Sequence, residues 1–146
     1  MQLTSYTDYA FRTLIALAAA APEKLTAAEI SESYGISQHH LLKVVQKLAA
    51  LGYIETMRGK SGGMRLAVDP TMLSLGTVVR GMEAELGPVA CLRPGDVPCI
   101  ITPVCGLRGI LRDAMAQFLR VLDQHTLADA IPAKGRVAKL LKLGIH

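Results

Sequence analysis

Three cysteines, Cys91, Cys99 and Cys105, lie close together in a segment that reads CLRPGDVPCIITPVC, and the chain has no others. An odd number of thiols cannot be used up in disulfides. Three thiolates are also one fewer than the four that commonly hold an iron–sulfur cluster. The three cysteines therefore either need a further group to complete a site or leave that site open.

The spacing of the cysteines indicates which kind of site they can form. Zinc sites favour CxxC pairs, whereas seven residues separate the first two cysteines here and five separate the last two, so structural zinc is disfavoured. Iron–sulfur ligation suits the longer spacing, because the sulfur ligands must reach separate corners of a wide cluster. A lone reactive thiol, or a thiol switch between Cys91 and Cys99, stays open as an alternative.

The residues around the cysteines predict an irregular, partly exposed loop. Prolines and a glycine recur between residues 87 and 104, at Pro88, Pro94, Gly95, Pro98 and Pro103, and they prevent long regular structure. Cys91 and Cys99 therefore lie on this loop, and Cys105 lies where a helix resumes.

Length and composition place these cysteines in a single compact domain. The chain has 146 residues, 51% of them hydrophobic, with no Trp and two Phe, which predicts an aliphatic and largely helical core. The longest apolar stretch, residues 13–22, is shorter than the ~20 residues that cross a bilayer, and no basic segment of a signal peptide precedes it. We expect a cytosolic protein without a membrane partner, where cysteine clusters bind metal or carry out redox chemistry.

The first half of the chain has the pattern of a helix-turn-helix. Apolar residues at three- and four-residue spacing predict a first helix before Pro22, and Thr26 with Glu29 forms a capping box for a short second helix. Gly35 allows a tight turn, and Ser37 caps a third helix. We expect the buried stripe of that helix to contain Leu41, Leu42, Val44, Val45, Leu48 and Leu51.

A basic hairpin follows the third helix. Residues 53–56 and 64–68 alternate as strands do, and the glycine-rich sequence RGKSGG lies between them. Residues 37–66 contain five basic residues and one acidic residue, and their net charge of +4 equals that of the whole chain. The pattern predicts a winged helix-turn-helix that binds double-stranded DNA. Its expected DNA-binding residues are Ser37, Gln38, His39, His40, Lys43, Lys47, Arg58, Lys60 and Arg65.

The second half adds two further helices and a basic tail. A short helix is predicted over about residues 75–86. A longer one begins at Cys105, where Leu107, Leu111, Ala114, Met115, Phe118, Val121, Leu122 and His125 recur at heptad-like spacing. It predicts a dimerisation helix, with a core helix as the alternative. Thr126 and Asp129 predict the cap of another short helix. Lys134, Arg136, Lys139 and Lys142 make the end of the chain a basic, mobile tail and a candidate nonspecific DNA contact.

These elements define four regions in a mostly α-helical fold. Residues 1–70 form the winged helix-turn-helix with its two-stranded wing, and residues 71–105 form the short helix and cysteine loop. Residues 106–131 contain the dimerisation helix, and residues 132–146 form the tail. No paired carboxylates, nucleophile elbow or catalytic triad occurs, so the chain is not expected to be an enzyme.

Four passages carry a resemblance over nearly the whole chain: MQLTSYTDYAFR, RGKSGGMRL, CIITPVC and LDQHTLAD. Together they resemble the iron–sulfur winged-helix regulators of the Rrf group, and within it the nitric-oxide-sensing repressors. The resemblance implies a homodimer that binds an inverted-repeat operator while its cluster is intact and releases it when nitric oxide attacks the cluster. The [4Fe-4S] form is favoured and [2Fe-2S] is the alternative.

The resemblance also suggests the missing ligand. It implies that Asp8, reaching across from the partner subunit, completes the site of Cys91, Cys99 and Cys105. From the residues alone, Asp8 could instead close a capping box with Ser5 on the first helix. Related regulators of cluster supply use a histidine soon after the third cysteine, but residues 106–110 read Gly-Leu-Arg-Gly-Ile.

Two other functions compete with this interpretation. One is a regulator of the same fold that senses cluster supply or general redox state through the same cysteines. The other, a small electron carrier or thiol oxidoreductase, predicts CxxC or four clustered cysteines. It also leaves the helix-turn-helix and the wing without a role.

Overall fold

The computed structural model describes residues 2–95 and 99–143. Residues 96–98 of the predicted cysteine loop and residues 144–146 of the predicted tail lie outside the described part. The described elements are mostly helical, as predicted. In chain order they are α1 (Ser5–Ala20), α2 (Ala27–Tyr34), α3 (Gln38–Ala50), β1 (Ile54–Met57), β2 (Gly63–Leu66), α4 (Leu75–Met82), two short 3-10 turns (Ala90–Leu92 and Thr102–Val104), α5 (Gly106–Asp123) and α6 (Lys134–Leu140).

Helix α1 is the central element of the core. It packs against α2, α3, α4, α6 and strand β2, because its small and aliphatic side chains allow close approach from several sides. Its fully buried residues include Ala10, Leu14 and Ala16, while Ile30 of α2 and Leu41, Val44 and Leu48 of α3 complete the same cluster. The helix is capped by Thr4, whose hydroxyl accepts a hydrogen bond from the Thr7 N–H at 3.3 Å. This replaces the Ser5–Asp8 capping box considered from the sequence.

Helices α2 and α3 form the predicted helix-turn-helix. The Thr26–Glu29 capping box is present at the start of α2, and Gly35 ends the helix with φ of +63°, a left-handed conformation that favours glycine. Four of the six residues predicted for the buried stripe of α3 are buried, and Leu51 is half-buried. Leu42 is 45% exposed, so its predicted burial is wrong. It lies on the flank of the helix that α1 and α2 do not cover.

The wing is a two-stranded antiparallel sheet in which Glu55 pairs with Arg65 and Thr56 with Met64. Its inner strand also pairs with the chain before α2. The Leu25 N–H donates to the Met64 carbonyl at 3.0 Å, and the Met64 N–H donates to the Leu25 carbonyl at 2.7 Å. Strand β2 is therefore hydrogen-bonded on both edges, which fixes the wing against the helix-turn-helix.

Helix α4 ends at Met82, four residues earlier than the sequence predicts. The backbone of Glu83 is extended, with φ of −82° and ψ of 127°, and does not continue the helix. The carboxylate of Glu83 accepts a hydrogen bond from the start of α1. Helix α5 begins after Cys105 as predicted and is bound to α4 by Arg80 and Asp123. Both ends of the cysteine segment are thus attached to helices that belong to the folded domain.

The end of the chain differs from the sequence prediction in two places. Thr126 and Asp129 make the predicted reciprocal hydrogen bonds, with the Thr126 N–H donating to Asp129 at 2.7 Å, but they close a turn and not a helix. Residues 134–140 form α6, which packs on α1 through the buried Ala138. The described part of the tail is therefore folded against the core, with Val137 and Leu141 half-buried beside Ala138.

Candidate functional site

The nine predicted DNA-binding residues all lie on the protein surface, as exposed side chains of α3, its cap and the wing. On α3, His39, Lys43 and Gln46 occupy the middle of the exposed face, opposite the buried stripe. His40 and Lys47 flank them on one side and Leu42 on the other. The exposed face of α3 therefore combines cations, hydrogen-bonding groups and one apolar side chain, which is the mixture that major-groove recognition uses.

The start of α3 leaves a hydroxyl available for DNA. Ser37 is at the N-cap position, yet its side chain makes no capping hydrogen bond. The helix is held in place from the other side by Tyr6 of α1, whose hydroxyl donates to the Lys43 carbonyl at 2.9 Å. The orientation of the recognition helix is thus tied directly to the first turn of α1.

The three basic residues of the wing are not equivalent. Arg65 lies within β2 and pairs through Nε with the carboxylate of Glu55 on the opposite strand. Arg58 and Lys60 lie at the exposed tip and make no ion pair with the residues that the structure describes. The tip therefore carries the wing's uncompensated positive charge, where phosphate contacts are favoured.

The three cysteines lie on the irregular segment between α4 and α5, as predicted. All three are free thiols: Cys91 is half-buried in a 3-10 turn, Cys99 is exposed, and Cys105 is the half-buried N-cap residue of α5. Among residues 2–95 and 99–143, no three His, Cys, Asp or Glu side chains lie close enough to hold a single metal ion. The structure therefore places the cysteines on one segment without gathering them around a single-ion site.

The donor set itself fits an iron–sulfur cluster. Thiolates are the soft ligands that such clusters use, and the cluster binds them at separate corners and not around one ion. Arg108 helps to position the first donor. Its Nε donates to the Cys91 carbonyl at 3.2 Å, which ties the 3-10 turn that carries Cys91 to the first turn of α5.

Asp8 lies on the first turn of α1. Its Oδ2 accepts a hydrogen bond from Arg12 Nε at 2.9 Å, and 48% of its side chain is exposed. The hydrogen bond from Arg12 to Asp8 is the main cause that raises the pKa of Arg12 above its usual value. The guanidinium of Arg12 also lies 5.5 Å from the centre of the Tyr34 ring. Oδ1 of Asp8 accepts no hydrogen bond from the described residues, which leaves one carboxylate oxygen for an external partner.

Apolar side chains around the last two cysteines point to solvent. Ile100 is 96% exposed and Val104 is 85% exposed, and Leu107 and Ile110 continue the exposed patch onto α5. Helix α5 has no fully buried residue along its described length, while Leu111, Met115, Phe118 and Leu122 are half-buried. Helix α5, an amphipathic helix of 18 residues, therefore leaves an apolar surface without a partner among the described residues.

The structure identifies two polar residues that sequence patterns did not single out. Thr7 is fully buried, and Glu83 accepts its hydroxyl hydrogen bond across 76 positions of the chain. A contact between residues this far apart in the chain produces no periodicity or motif in the sequence. The only sequence signal for it is that a threonine hydroxyl and a glutamate carboxylate can form a hydrogen bond. Across the described residues, no helix is both long and apolar enough to span a lipid bilayer.

Comparison with known proteins agrees with this architecture. The model of the Rrf2 family, described as iron-dependent transcriptional regulators, matches residues 3–133. The chain is 46% identical over 144 residues to the HTH-type transcriptional regulator NsrR of Bacillus subtilis (strain 168), covering 98% of this chain and 99% of that one. It is 47% identical over 143 residues to the regulator NsrR of Geobacillus kaustophilus (strain HTA426), covering 97% of each.

Solved structures show the same fold. The global cysteine regulator CymR of B. subtilis aligns with a TM-score of 0.72 at 24% identity, over 89% of this chain and 95% of that one. T. potens IscR aligns with a TM-score of 0.70 at 21% identity, over 94% of this chain and 90% of that one. At this identity the likeness establishes the fold and the predicted winged helix-turn-helix arrangement.

Proposed function

Because this chain belongs to the Rrf2 family of iron-dependent transcriptional regulators, we propose that it is a repressor that nitric oxide inactivates through an iron–sulfur cluster. The observation that carries this proposal is the pairing of a winged helix-turn-helix with three free cysteines on one exposed segment. It is supported by full-length similarity to NsrR regulators and by the resemblance to nitric-oxide-sensing repressors. A transcriptional regulator, and not an enzyme, is what the family membership establishes.

In this proposal Cys91, Cys99 and Cys105 hold a [4Fe-4S] cluster, and Asp8 of the partner subunit supplies the fourth ligand. Two observations support Asp8 as a ligand for a second chain. Its side chain is half-exposed, and its Oδ1 is without a hydrogen bond from the described residues. When bound, the cluster supplies an iron whose carboxylate ligand is harder and weaker than thiolate, and therefore reactive towards nitric oxide.

The homodimer in this proposal is built on α5 and on the apolar patch beside the cysteines. The exposed Ile100, Val104 and Leu107 lie where a second chain would cover them, and burial of this patch would exclude water from the neighbouring thiolates. Two recognition helices about 34 Å apart would then read the two halves of an inverted-repeat operator. Loss of the cluster would release α1 from the partner's cysteine segment, and α1 contacts α3 through Tyr6.

The test combines spectroscopy with DNA binding. Protein purified without oxygen is analysed for iron, sulfide and visible absorption, and its operator is selected from random duplex DNA. Titration with nitric oxide should bleach the cluster absorption and abolish operator binding over the same range of additions. A colourless protein that binds the selected operator equally well with and without iron contradicts the proposal.

The same titration separates the rival regulator. A sensor of cluster supply or redox state would lose operator binding when iron is removed or when the protein is exposed to oxygen. Nitric oxide would have no preferential effect on its operator binding. Replacement of Asp8 by Ala adds a second distinction. Unchanged nitric oxide kinetics and unchanged operator affinity in this variant would exclude Asp8 as a ligand.

A further inference from the structure

One carboxylate oxygen joins two distant parts of the chain. Oε1 of Glu83 accepts hydrogen bonds from the Thr4 N–H at 2.8 Å, from the Thr4 hydroxyl at 3.0 Å and from the Thr7 hydroxyl at 2.5 Å. Glu83 is the residue at which α4 ends, and the two threonines form the first turn of α1. Glu83 thereby takes the part that a glutamate within the helix plays in a capping box.

The burial of Thr7 makes this contact specific. Thr7 has no exposed surface, and besides Glu83 its hydroxyl has only the Thr4 hydroxyl as a partner, at 3.3 Å, among the described residues. A buried hydroxyl that loses its acceptor is destabilised, so the first turn of α1 depends on where Glu83 lies. The negative charge is also favourable at this end of the helix.

On one side, Glu83 is connected to the cysteine segment through the chain. It follows α4 directly, and the chain continues from it to Cys91. Helix α4 is in turn bound to α5 by Arg80, whose two terminal nitrogens donate to both oxygens of Asp123 at 2.6 and 2.7 Å. A displacement of the cysteine segment therefore acts on α4 and α5 together, with Glu83 at the point where the segment begins.

On the other side, the first turn of α1 is connected to the recognition helix. The Tyr6 hydroxyl donates to the Lys43 carbonyl within α3, and Tyr6 lies between the two threonines that Glu83 binds. A change in the first turn of α1 therefore moves a side chain that contacts the DNA-reading helix. The contacts form one continuous series from the cysteine segment to α3 within a single chain.

We propose that Glu83 is a positioning residue that couples the state of the cysteine site to the orientation of the recognition helix. The proposal rests on the proposed function, because it requires that operator affinity depends on the cluster. Glu83 binds neither DNA nor iron in this role. It holds the first turn of α1, and with it Tyr6, in register with the segment that carries the cysteines.

The experiment compares operator affinity in the cluster-loaded and cluster-free protein for Glu83→Ala, Glu83→Gln and Thr7→Val. Glu85→Ala is the matched control, since Glu85 is two residues further along, is exposed, and makes only a 3.8 Å ion pair with Arg93. Iron and sulfide content, thermal unfolding and hydrogen exchange of the α1 amides are measured for each variant. Hydrogen exchange is followed in the cluster-free protein, so one readout does not depend on loading.

We expect wild-type protein and Glu85→Ala to bind operator at least about fivefold more tightly with the cluster than without it. Glu83→Ala and Thr7→Val should keep their iron, but their ratio should fall towards one, by at least about twofold. Faster exchange should be confined to the first turn of α1. Glu83→Gln, which retains an acceptor oxygen, should fall between wild type and Glu83→Ala.

The outcomes distinguish this role from the proposed function. A wild-type ratio of one overturns both. A wild-type ratio that Glu83→Ala and Thr7→Val leave unchanged overturns the role of Glu83 alone, as does an equal loss in Glu85→Ala. If Glu83→Ala does not fold, Thr7→Val decides, because it removes one donor while preserving the shape of the buried side chain.

Discussion

At the scale of the single residue, Leu42 is a candidate for base recognition that the sequence pattern had placed in the core. It is 45% exposed on α3, next to His39 and Gln46 on the surface that would enter the major groove. Apolar groups on a helix in the major groove can contact the methyl group of thymine, which hydrogen bonds do not read. Its exposure on this face is therefore consistent with direct readout and not with a core role.

Replacing Leu42 by Ala tests this contact. Within the selected operator each thymine is replaced in turn by uracil, which removes only the methyl group. We expect one uracil per half-site to weaken wild-type binding about fourfold, since burial of one methyl-sized group contributes about 0.8 kcal/mol. Leu42→Ala should bind the thymine and uracil operators equally, as measured by fluorescence anisotropy.

Met72→Ala supplies the control for that substitution. Met72 is 81% exposed but lies outside the helix-turn-helix, so it should retain the full difference between thymine and uracil. If Leu42→Ala discriminates the two operators as well as wild type, the leucine does not read a methyl group.

At the scale of elements, the wing and α3 differ in what they contribute. The wing carries charge at its tip, and Arg65 is paired with Glu55 within the sheet. Strand β2 is hydrogen-bonded on both edges, so the tip is presented on a fixed support. Such a tip favours binding to the phosphate backbone over the reading of bases.

The wing predicts a specific change in salt dependence. Arg58→Ala combined with Lys60→Ala should lower the slope of log affinity against log salt by about 0.9 for each phosphate that the variant no longer binds. The effect should be similar on operator and on unrelated duplex DNA, because phosphates carry no sequence. The charge-neutral pair Glu55→Ala with Arg65→Ala should leave the slope near that of wild type. An equal drop in this second pair would place the phosphate-binding groups within the strands and not at the tip.

At the scale of the whole molecule, the described surface has an apolar face that the proposed homodimer would cover. Helix α5 exposes Leu107, Ile110 and Val121, and the proposed fourth ligand belongs to another copy. A mixed dimer can test whether the ligand comes from the partner.

A heterodimer of Asp8→Ala and Cys99→Ala chains, co-expressed with two different tags, contains one complete site if Asp8 acts across the interface. It should hold about half the iron of the wild-type dimer, and that iron should react with nitric oxide at the wild-type rate, as followed by stopped-flow absorption. Cys99 is exposed, so its replacement should not disturb folding.

The same heterodimer has no complete site if Asp8 binds within its own chain. Its cluster would then react as in the Asp8→Ala homodimer, which serves as the reference for three-cysteine ligation. A heterodimer in which none of the iron reacts with nitric oxide at the wild-type rate would therefore exclude ligation across the interface.

Local patterns in the sequence were sufficient for much of this architecture. The helix-turn-helix, the glycine-rich wing, the capping box at Thr26 and the helix start at Cys105 all depend on neighbours within a few residues, and the structure confirms them. The cysteine spacing and the clustered cations predicted which segments carry the candidate ligands and DNA contacts, and the structure places these residues at exposed or half-buried positions. These features could be predicted from the sequence because caps, turns and amphipathic periodicity are short-range effects.

Only the tertiary structure decided the features that depend on distant contacts. The Thr4–Glu83 hydrogen bond spans 79 positions, and it is made by the residue at which α4 ends, four residues before the predicted end. No local propensity indicates such a contact. The exposure of Leu42 follows from how α1 and α2 cover α3, and the folding of α6 follows from an apolar face on α1. Periodicity states that a residue is apolar on one helix face, whereas packing alone decides which neighbour covers it.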